Sequence, residues 1–216
     1  MVRVMRRRAW VAHCSGAALG LGLWGHAAAQ GRSPTLLVVG DSLSAEYGIA
    51  RGSGWVALLE ERLKAQGRQA QVVNASISGD TTSGGRARLP ALLTQHRPTH
   101  VIIELGGNDA LRGMPLSLTR DNLTAMVRTS RAAGARVLLV GMQMPPNYGQ
   151  RYARDFAALF GEVARAEKVA LVPFLLAGVA DRPDAEAWFQ PDRIHPLAKA
   201  HPVMLETVWP ALKRLL

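Results

Sequence analysis

Four polar side chains from three separate parts of the sequence have the types that acyl transfer requires: Ser42, Asn108, Asp192 and His195. A serine hydroxyl is a weak nucleophile that needs a base. A neutral imidazole can supply that base, and a carboxylate can hold the imidazole in the correct tautomer. The tetrahedral oxyanion needs about two or three hydrogen-bond donors, which backbone N–H groups and an asparagine amide can provide. If the fold brings these residues together, the expected chemistry is nucleophilic catalysis by Ser42.

The spacing of Asp192 and His195 is a second indication. They are three positions apart on a segment bounded by Pro191 and Pro196, so one loop could deliver both side chains to the same side. His201 is a rival base, but it lies within a helical pattern and has no carboxylate three residues before it. Each piece taken alone also has a simpler explanation, as a helix cap, a turn or a surface pair.

Ser42 directly follows a segment that predicts a buried strand. Residues 36–39 form an unbroken apolar run with β-branched residues, which is typical of a parallel strand covered on both faces. Gly40 permits a sharp exit from this strand, and the short polar side chains of Asp41 and Ser42 suit the start of a helix. Ser42 is therefore expected at the carboxyl edge of the sheet, where open α/β sheets carry their chemistry.

The rest of the chain predicts an α/β fold in which strands and helices alternate. Strands are expected at residues 36–39, 71–74, 99–105, 137–140 and 169–172, and helices at residues 55–65, 87–95, 118–133, 152–167 and 198–215. Such repeats favour a parallel sheet with helices on both faces. Residues 76–85 are polar and glycine-rich, and residues 142–149 contain two adjacent prolines, so both are expected to be irregular loops.

The first 29 residues have the pattern of a secretory signal peptide. Four arginines precede an apolar stretch at residues 17–24, and three alanines at residues 27–29 suit a cleavage site. The apolar stretch is far shorter than the roughly 20 residues of a membrane span. We therefore expect one domain at residues 30–216, located in the periplasm or secreted. The lone cysteine, Cys14, would leave with the signal peptide, which excludes disulfides, a cysteine nucleophile and a thiolate metal site.

Composition and charge narrow the class of partner. The formal net charge is +10, and it falls to +6 when the four arginines of residues 1–29 are removed. The remaining arginines are scattered, whereas nucleic-acid binding favours a concentrated basic patch. We expect a small-molecule substrate, no nucleic acid, at most a transient contact with a membrane surface, and a monomer.

Four short blocks of the sequence resemble those of the SGNH (GDSL) hydrolases. They are residues 40–43 (Gly-Asp-Ser-Leu), Gly79, residues 106–109 (Gly-Gly-Asn-Asp) and Asp192-x-x-His195. The sequence is most similar to the bacterial periplasmic multifunctional esterases of the thioesterase I, lysophospholipase and arylesterase type. This closer similarity lies in residues 74–81, 104–109 and 146–149 and, in the tail, in residues 192–196 and 208–213. It covers essentially the whole chain after the signal peptide.

The resemblance implies a flavodoxin-like three-layer α/β/α sandwich with a five-stranded parallel sheet in the order 2-1-3-4-5. It also implies that Ser42 is the nucleophile, His195 the base and Asp192 the partner that orients the base. The oxyanion hole would consist of the backbone N–H groups of Ser42 and Gly79 together with the Asn108 side chain. No metal and no cofactor are expected.

The expected activity is hydrolysis of carboxylic esters and thioesters with apolar acyl chains, of the arylesterase, acyl-CoA thioesterase or lysophospholipase type. It would proceed through an acyl-enzyme on Ser42. Met142 and Met144 predict a soft, adaptable wall for the acyl chain. The candidate substrate-binding residues are Asp41, Leu43, Met144, Pro145, Pro146, Tyr148 and Ile194.

Two alternatives remain open at this stage. A carbohydrate O-acetylesterase would use the same triad, but it would want aromatic platforms near the site, and most aromatic residues here lie in patterns typical of a core. A non-catalytic flavodoxin-like binding module would hold a phosphate or flavin at residues 40–44. After the signal peptide, however, the chain has neither a G-x-x-x-x-G-K-[ST] nor a G-x-G-x-x-G pattern. A binding module would also have no use for Asp192-x-x-His195.

Overall fold

A five-stranded sheet lies at the centre of the computed structural model, which describes residues 33–144 and 146–216. Its parallel strands are β1 (Thr35–Gly40), β2 (Gln71–Asn74), β3 (His100–Glu104), β4 (Arg136–Val140) and β5 (Ala170–Val172). They are arranged in the order β2-β1-β3-β4-β5, which confirms the predicted sheet. The expected signal peptide at residues 1–29 lies outside the described residues, and so does Cys14.

The described residues form six α-helices. These are α1 (Trp55–Ala65), α2 (Thr82–His96), α3 (Gly107–Leu111), α4 (Leu116–Ala132), α5 (Gln150–Glu167) and α6 (His201–Lys213). Short 3₁₀ turns lie at Pro146–Tyr148, Ala185–Trp188 and Ala198–Ala200. Within this part of the chain, no helix is both long enough and apolar enough to cross a membrane.

The helices cover both faces of the sheet because successive residues of a strand point to opposite sides. Leu36 and Val38 of β1 belong to a hydrophobic core shared with α1 and α6. Leu37 and Val39 belong to a second core shared with α2, α4 and α5. All four side chains are fully buried, so β1 reads as an unbroken apolar run in the sequence. The predicted flavodoxin-like three-layer α/β/α architecture is confirmed.

Helix α2 begins at Thr82, whereas the sequence predicted a loop as far as residue 85 and a helix only from residue 87. The side chain of Thr81 caps the helix by accepting the Gly84 N–H at 3.3 Å. Gly85 packs so closely on Leu105 that a Cβ at this position would lie 2.2 Å from Leu105 Cδ1. The prediction was wrong because the two glycines serve close packing, which outweighs their low helix propensity.

Three other segments differ from the sequence prediction. The loop expected at residues 142–149 contains the 3₁₀ turn Pro146–Tyr148, and the terminal helix is divided into the turn Ala198–Ala200 and α6. Residues 106–109, which alone suggested a plain turn, lead into α3. Gly106 adopts φ +124° there, and a Cβ on it would lie 3.1 Å from Phe160. Only glycine suits both the backbone conformation and the close packing of α5.

Candidate active site

The structure brings Ser42, His195 and Asp192 into one chain of hydrogen bonds. The Ser42 hydroxyl lies 2.8 Å from His195 Nε2. On the other side of the ring, His195 Nδ1 lies 2.6 Å from Asp192 Oδ2. The carboxylate favours the tautomer in which Nδ1–H donates to Asp192 and Nε2 accepts the serine proton. This arrangement suits a serine nucleophile with an oriented general base.

The loop that carries Asp192 and His195 is fastened to itself and to the loop after Ser42. The Gln190 N–H donates to the carbonyl of His195 at 2.8 Å, and Leu197 N–H donates to the carbonyl of Trp188 at 2.8 Å. The side-chain amide of Gln190 also donates to the Tyr47 carbonyl at 2.9 Å. One loop therefore presents both side chains to Ser42, as the three-residue spacing predicted.

Asp192 stays ionised because its surroundings donate hydrogen bonds to it. Its Oδ1 accepts the backbone N–H of Ile194 at 2.9 Å and that of His195 at 3.0 Å. Desolvation acts to raise the pKa of Asp192, but the hydrogen bonds from His195 and Ile194 outweigh it and lower the pKa to about 2. A carboxylate that is ionised at neutral pH can stabilise an imidazolium on His195.

An aromatic ring that sequence reasoning missed packs against the candidate base. The ring of Tyr47 lies with its centroid 4.3 Å from that of His195, at an interplanar angle of 40°. It restricts rotation of the imidazole and shields one face of it from water. Tyr47 follows Ser42 by only five residues, but nothing in the local pattern shows that its ring lies against a loop about 150 residues away.

Asp41 directly precedes the candidate nucleophile Ser42 and holds other parts of the site. It is 2% exposed, its Oδ1 accepts the Leu43 N–H at 3.0 Å, and its Oδ2 accepts the side-chain amide of Asn108 at 3.1 Å. Burial raises the pKa of Asp41 to about 6, although the hydrogen bonds from Leu43 and Asn108 lower it in part. Asp41 lines the cleft as predicted, and its two oxygens are engaged in positioning the Asn108 amide and the turn.

A second buried carboxyl group, Glu104, supports the same turn from the end of β3. Glu104 Oε2 accepts the Ser44 hydroxyl at 2.7 Å and the Asp41 N–H at 3.4 Å. The indole N–H of Trp55 donates to Ser44 Oγ at 3.2 Å. Burial, followed by the nearby Asp41 carboxyl, raises the pKa of Glu104 well above its usual value. An acid at the end of an otherwise apolar strand was the one sequence signal for this residue.

We expect Glu104→Gln to become more stable, relative to the wild type, as the pH rises. Glutamine resembles the protonated acid. The unfolded wild type ionises Glu104 near its reference pKa of about 4.3, whereas the folded protein resists ionisation to higher pH. Wild-type stability should therefore fall with rising pH in this window, by up to about 1.4 kcal/mol per pH unit, and the variant should lack this loss. Urea unfolding of both proteins at pH 4, 6 and 8 measures the difference in their free energy of unfolding. A constant difference across the series would contradict a neutral Glu104.

Three groups are available as candidate oxyanion donors. Among the described residues, the backbone N–H groups of Ser42 and Gly79 have no hydrogen-bond acceptor, so both remain free to bind an oxyanion. Ile77 N–H donates to the Gly40 carbonyl at 3.0 Å and fastens the loop that carries Gly79 beside the end of β1. Gly79 adopts φ +80°, a conformation that favours glycine. The Asn108 amide has a second N–H beyond the one used on Asp41.

Asn108 itself is held by the buried residue that follows it. Asp109 is fully buried, and its carboxylate accepts hydrogen bonds from the N–H of Thr82 at 2.8 Å and the hydroxyl of Thr119 at 3.2 Å. Its Oδ1 also accepts the Thr82 hydroxyl. Asp109 thus joins α3 to the start of α2 and to α4. The Gly-Gly-Asn-Asp block therefore contains one side chain for the cleft and one anchor.

The rival histidine, His201, lies away from this chemistry. It is 2% exposed, and its Nδ1 accepts the Trp55 N–H at 3.1 Å, which caps the start of α1. Burial lowers the pKa of His201 to about 4, despite the opposing effect of the Glu46 carboxylate. His201 is therefore a structural histidine, and His195 is the one in contact with Ser42.

A cleft of about 700 Å³ opens beside Ser42. Of the candidate substrate-binding residues, Asp41, Leu43, Met144, Tyr148 and Ile194 line it. Pro145 lies outside the described residues, and so does the side chain of Pro146. Gly79 is not part of the cleft lining. Further apolar side chains in the lining are Leu111, Met142, Phe174, Leu176, Ala180 and Phe189.

The described part of the chain contains no cluster of three or more histidine, cysteine, aspartate or glutamate side chains that could hold a metal ion. The chemistry that the geometry supports is nucleophilic catalysis by Ser42, with His195 as the candidate base. A fold of this kind is shared by proteins with different functions, so comparison with known proteins is needed to decide the family.

A family model described as the GDSL-like lipase/acylhydrolase family matches residues 38–203, a range that contains Ser42, the candidate oxyanion donors and the Asp192–His195 loop. The chain belongs to this family. Its members are also known as SGNH hydrolases, so the resemblance seen in the sequence is confirmed, and the protein is an enzyme of the hydrolase class.

Individual GDSL-family relatives are similar over most of their length. The chain is 54% identical to the esterase TesA of Pseudomonas aeruginosa over 187 residues, which cover 87% of this chain and 92% of the relative. It is 44% identical to the thioesterase 1/protease 1/lysophospholipase L1 of Escherichia coli K12, over 80% of each chain. The crystal structure of TesA superimposes with a TM-score of 0.81 at 55% identity, covering 84% of this chain and 99% of that one.

Proposed function

We propose that this enzyme hydrolyses carboxylic esters and thioesters with apolar acyl chains through an acyl-enzyme on Ser42. The observation that carries the proposal is the hydrogen-bonded chain Asp192–His195–Ser42 at the edge of a cleft with many apolar side chains. The names of the two curated relatives, an esterase and a thioesterase/lysophospholipase, support the same substrate classes.

Acylation begins when the Ser42 hydroxyl attacks the acyl carbonyl carbon and His195 Nε2 takes the hydroxyl proton. Asp192 stabilises the imidazolium that forms. The negative charge on the former carbonyl oxygen is bound by the N–H groups of Ser42 and Gly79 and by the Asn108 amide. His195 then returns the proton to the leaving alcohol or thiol, and the acyl group stays on Ser42.

Deacylation repeats these steps with water as the nucleophile. His195 takes a proton from the water as its oxygen attacks the acyl carbonyl, and the same donors bind the oxyanion. The proton then passes to Ser42 Oγ as the acid is released. The ring of Tyr47 packs on one face of His195 and leaves Nε2 directed at Ser42, so it does not block either proton transfer.

The lining of the cleft favours an apolar acyl chain over an acetyl group on a sugar. Met142, Met144 and Leu176 offer flexible or aliphatic surface, and methionine adapts to chains of different length. Trp55, a possible sugar platform in the sequence, is fully buried in the core. Among the described residues no tryptophan lines the cleft, and the aromatic side chains that do are Tyr148, Phe174 and Phe189, so an acetylesterase would have to use these rings as its sugar platform.

The proposal is tested by hydrolysis of p-nitrophenyl esters from acetyl to palmitoyl and of the matching acyl thioesters. We expect kcat/KM to rise from acetate to medium-length chains. Tyr148→Ala should weaken long-chain hydrolysis by a few-fold, because it removes exposed apolar surface of roughly one side chain from the cleft. Activity confined to acetyl esters would overturn the proposal in favour of the acetylesterase.

We also propose that residues 1–29 are a cleaved signal peptide, that residues 30–216 form the single mature domain, and that the enzyme acts as a monomer in the periplasm or outside the cell. Support comes from the arginine, apolar and alanine segments of the first 29 residues. The family match begins at residue 38, after this segment. Amino-terminal sequencing of the exported protein tests the proposal, with a start near Gln30 expected.

We expect Asn108→Ala to lower kcat by about 10²–10³-fold, with a smaller change in KM, because the amide contributes to the oxyanion site in the transition state. Steady-state kinetics with p-nitrophenyl octanoate measures both constants. Asn147→Ala is the matched control, since Asn147 also lines the cleft and is exposed. Equal losses in both variants, or a loss confined to KM, would show that Asn108 is not an oxyanion donor.

A further inference from the structure

The order of the strands separates the two ends of a bound substrate. The residues that line the cleft follow β1, β3, β4 and β5, and none belongs to the loop between β2 and α2 that carries Gly79. Because β2 lies at the edge of the sheet next to β1, this loop flanks Ser42 on the side away from β4 and β5. An acyl chain that fills the cleft therefore leaves the β2 side of Ser42 for the alcohol portion of the substrate.

Arg112 reaches across to that side from the end of α3. Its Nη2 donates to the Gly79 carbonyl at 2.9 Å, and it lies 3.9 Å from where a Cβ on Gly79 would be. The side chain is exposed, and among the described residues it makes no salt bridge with a carboxylate. By contrast, Arg88 on the neighbouring helix α2 pairs with Asp80 at 2.8 Å.

We propose that Arg112 binds the phosphate of an ester substrate whose leaving alcohol is a glycerol phosphate, as in a 1-acyl lysophospholipid. This rests on the proposed function, since it assigns the leaving-group side of the same site. A guanidinium carries five N–H donors in a planar fork that matches the oxygens of a phosphate. One N–H donates to the Gly79 carbonyl, and among the described residues the other four have no hydrogen-bond acceptor.

The position of Arg112 also limits the distance between the phosphate and the scissile bond. The Arg112 guanidinium donates a hydrogen bond to the carbonyl of Gly79, and Gly79 N–H is a candidate oxyanion donor. A phosphate bound to Arg112 therefore lies close to the scissile ester. The short glycerol linker of a lysophospholipid meets this requirement. The long arm between the thioester and the phosphates of an acyl-CoA does not, so Arg112 distinguishes these two substrate classes.

The test compares two soluble esters that differ only in the phosphate: 1-octanoylglycerol and 1-octanoylglycerol 3-phosphate, each used below its micelle-forming concentration. For Arg112→Gln we expect a roughly three- to tenfold fall in kcat/KM for the phosphate ester, mainly through KM, as for a charged hydrogen bond at an exposed site. Hydrolysis of 1-octanoylglycerol should change less than twofold. Added NaCl should lower kcat/KM for the phosphate ester alone, because salt screens the attraction between the exposed Arg112 guanidinium and the phosphate.

Arg151→Gln is the matched control, since it removes the same charge from a side chain that is 90% exposed and paired with Asp155. It should leave the ratio of kcat/KM between the two esters unchanged. Equal losses for both esters in Arg112→Gln would overturn the proposal and leave Arg112 as a support for Gly79. An Arg112→Gln enzyme whose kcat/KM ratio for the two esters equals that of the wild type would overturn it too. So would a fall in kcat/KM that is seen with octanoyl-CoA alone. If the wild type hydrolyses neither ester nor any p-nitrophenyl ester, the proposed function itself fails.

Discussion

Ser42→Ala should lower kcat for ester hydrolysis by about 10⁴–10⁶-fold, which is the loss that follows removal of a triad nucleophile. The variant cannot form the acyl-enzyme, and only the oxyanion donors and substrate binding remain. Stopped-flow hydrolysis of p-nitrophenyl octanoate measures the effect, because the wild type should release p-nitrophenol in a burst if deacylation is slow. The variant should show no burst.

The control for this variant is Ser53→Ala, since Ser53 is not part of the cleft lining and, among the described residues, its hydroxyl donates to the Ala50 carbonyl. It should retain wild-type kinetics. Thermal unfolding of Ser42→Ala should differ little from the wild type, because His195 is the one hydrogen-bond partner of Ser42 Oγ among the described residues. A Ser42→Ala enzyme that is folded and still hydrolyses esters within tenfold of the wild type would exclude Ser42 as the nucleophile.

Asp192→Asn should lower kcat by about 10³–10⁴-fold. An asparagine amide can donate a hydrogen bond to His195 Nδ1 and so favour the tautomer whose Nε2 carries the proton, which cannot accept one from Ser42. The amide also cannot stabilise the imidazolium. Because the pKa of Asp192 is about 2, wild-type activity should show no loss attributable to Asp192 at any pH above about 4, two units higher.

Kinetics of Asp192→Asn from pH 5 to pH 9 measure this effect. Asp155→Asn is the control, since Asp155 is an exposed partner of Arg151 and should have wild-type activity. Recovery of activity in Asp192→Asn at high pH would agree with a role in orienting the base. A loss smaller than about tenfold at every pH would mean that the 2.6 Å contact with His195 does not contribute to catalysis.

The residues that could be predicted from the sequence are those whose place in the fold is indicated by the residues next to them in the chain. A buried apolar strand followed by Gly40 and Ser42 indicates the carboxyl edge of a parallel sheet. Asp192 and His195 lie three residues apart between prolines, so their joint presentation by one loop was also predictable. The sheet order could not be derived from these patterns and came from the family resemblance, which the structure confirms.

The residues that were missed act through contacts between distant parts of the chain. Tyr47 packs on His195, and Gln190 donates to the Tyr47 carbonyl, but neither contact has a signal within its own segment. Arg112 reaches Gly79 for the same reason. The start of α2 was misplaced because Gly85 signals a loop in the sequence, whereas its role is to let the helix approach Leu105. Tertiary packing decided each case.

The central claim, that Ser42 is a nucleophile activated by His195, is tested most directly by covalent labelling with an alkyl fluorophosphonate followed by intact-mass and peptide analysis. We expect one adduct per chain, with loss of fluoride, on the peptide that contains Ser42. We also expect no adduct in Ser42→Ala and much slower labelling in His195→Ala. An adduct on another residue, or full ester hydrolysis by an enzyme that the reagent does not label, would contradict the central claim.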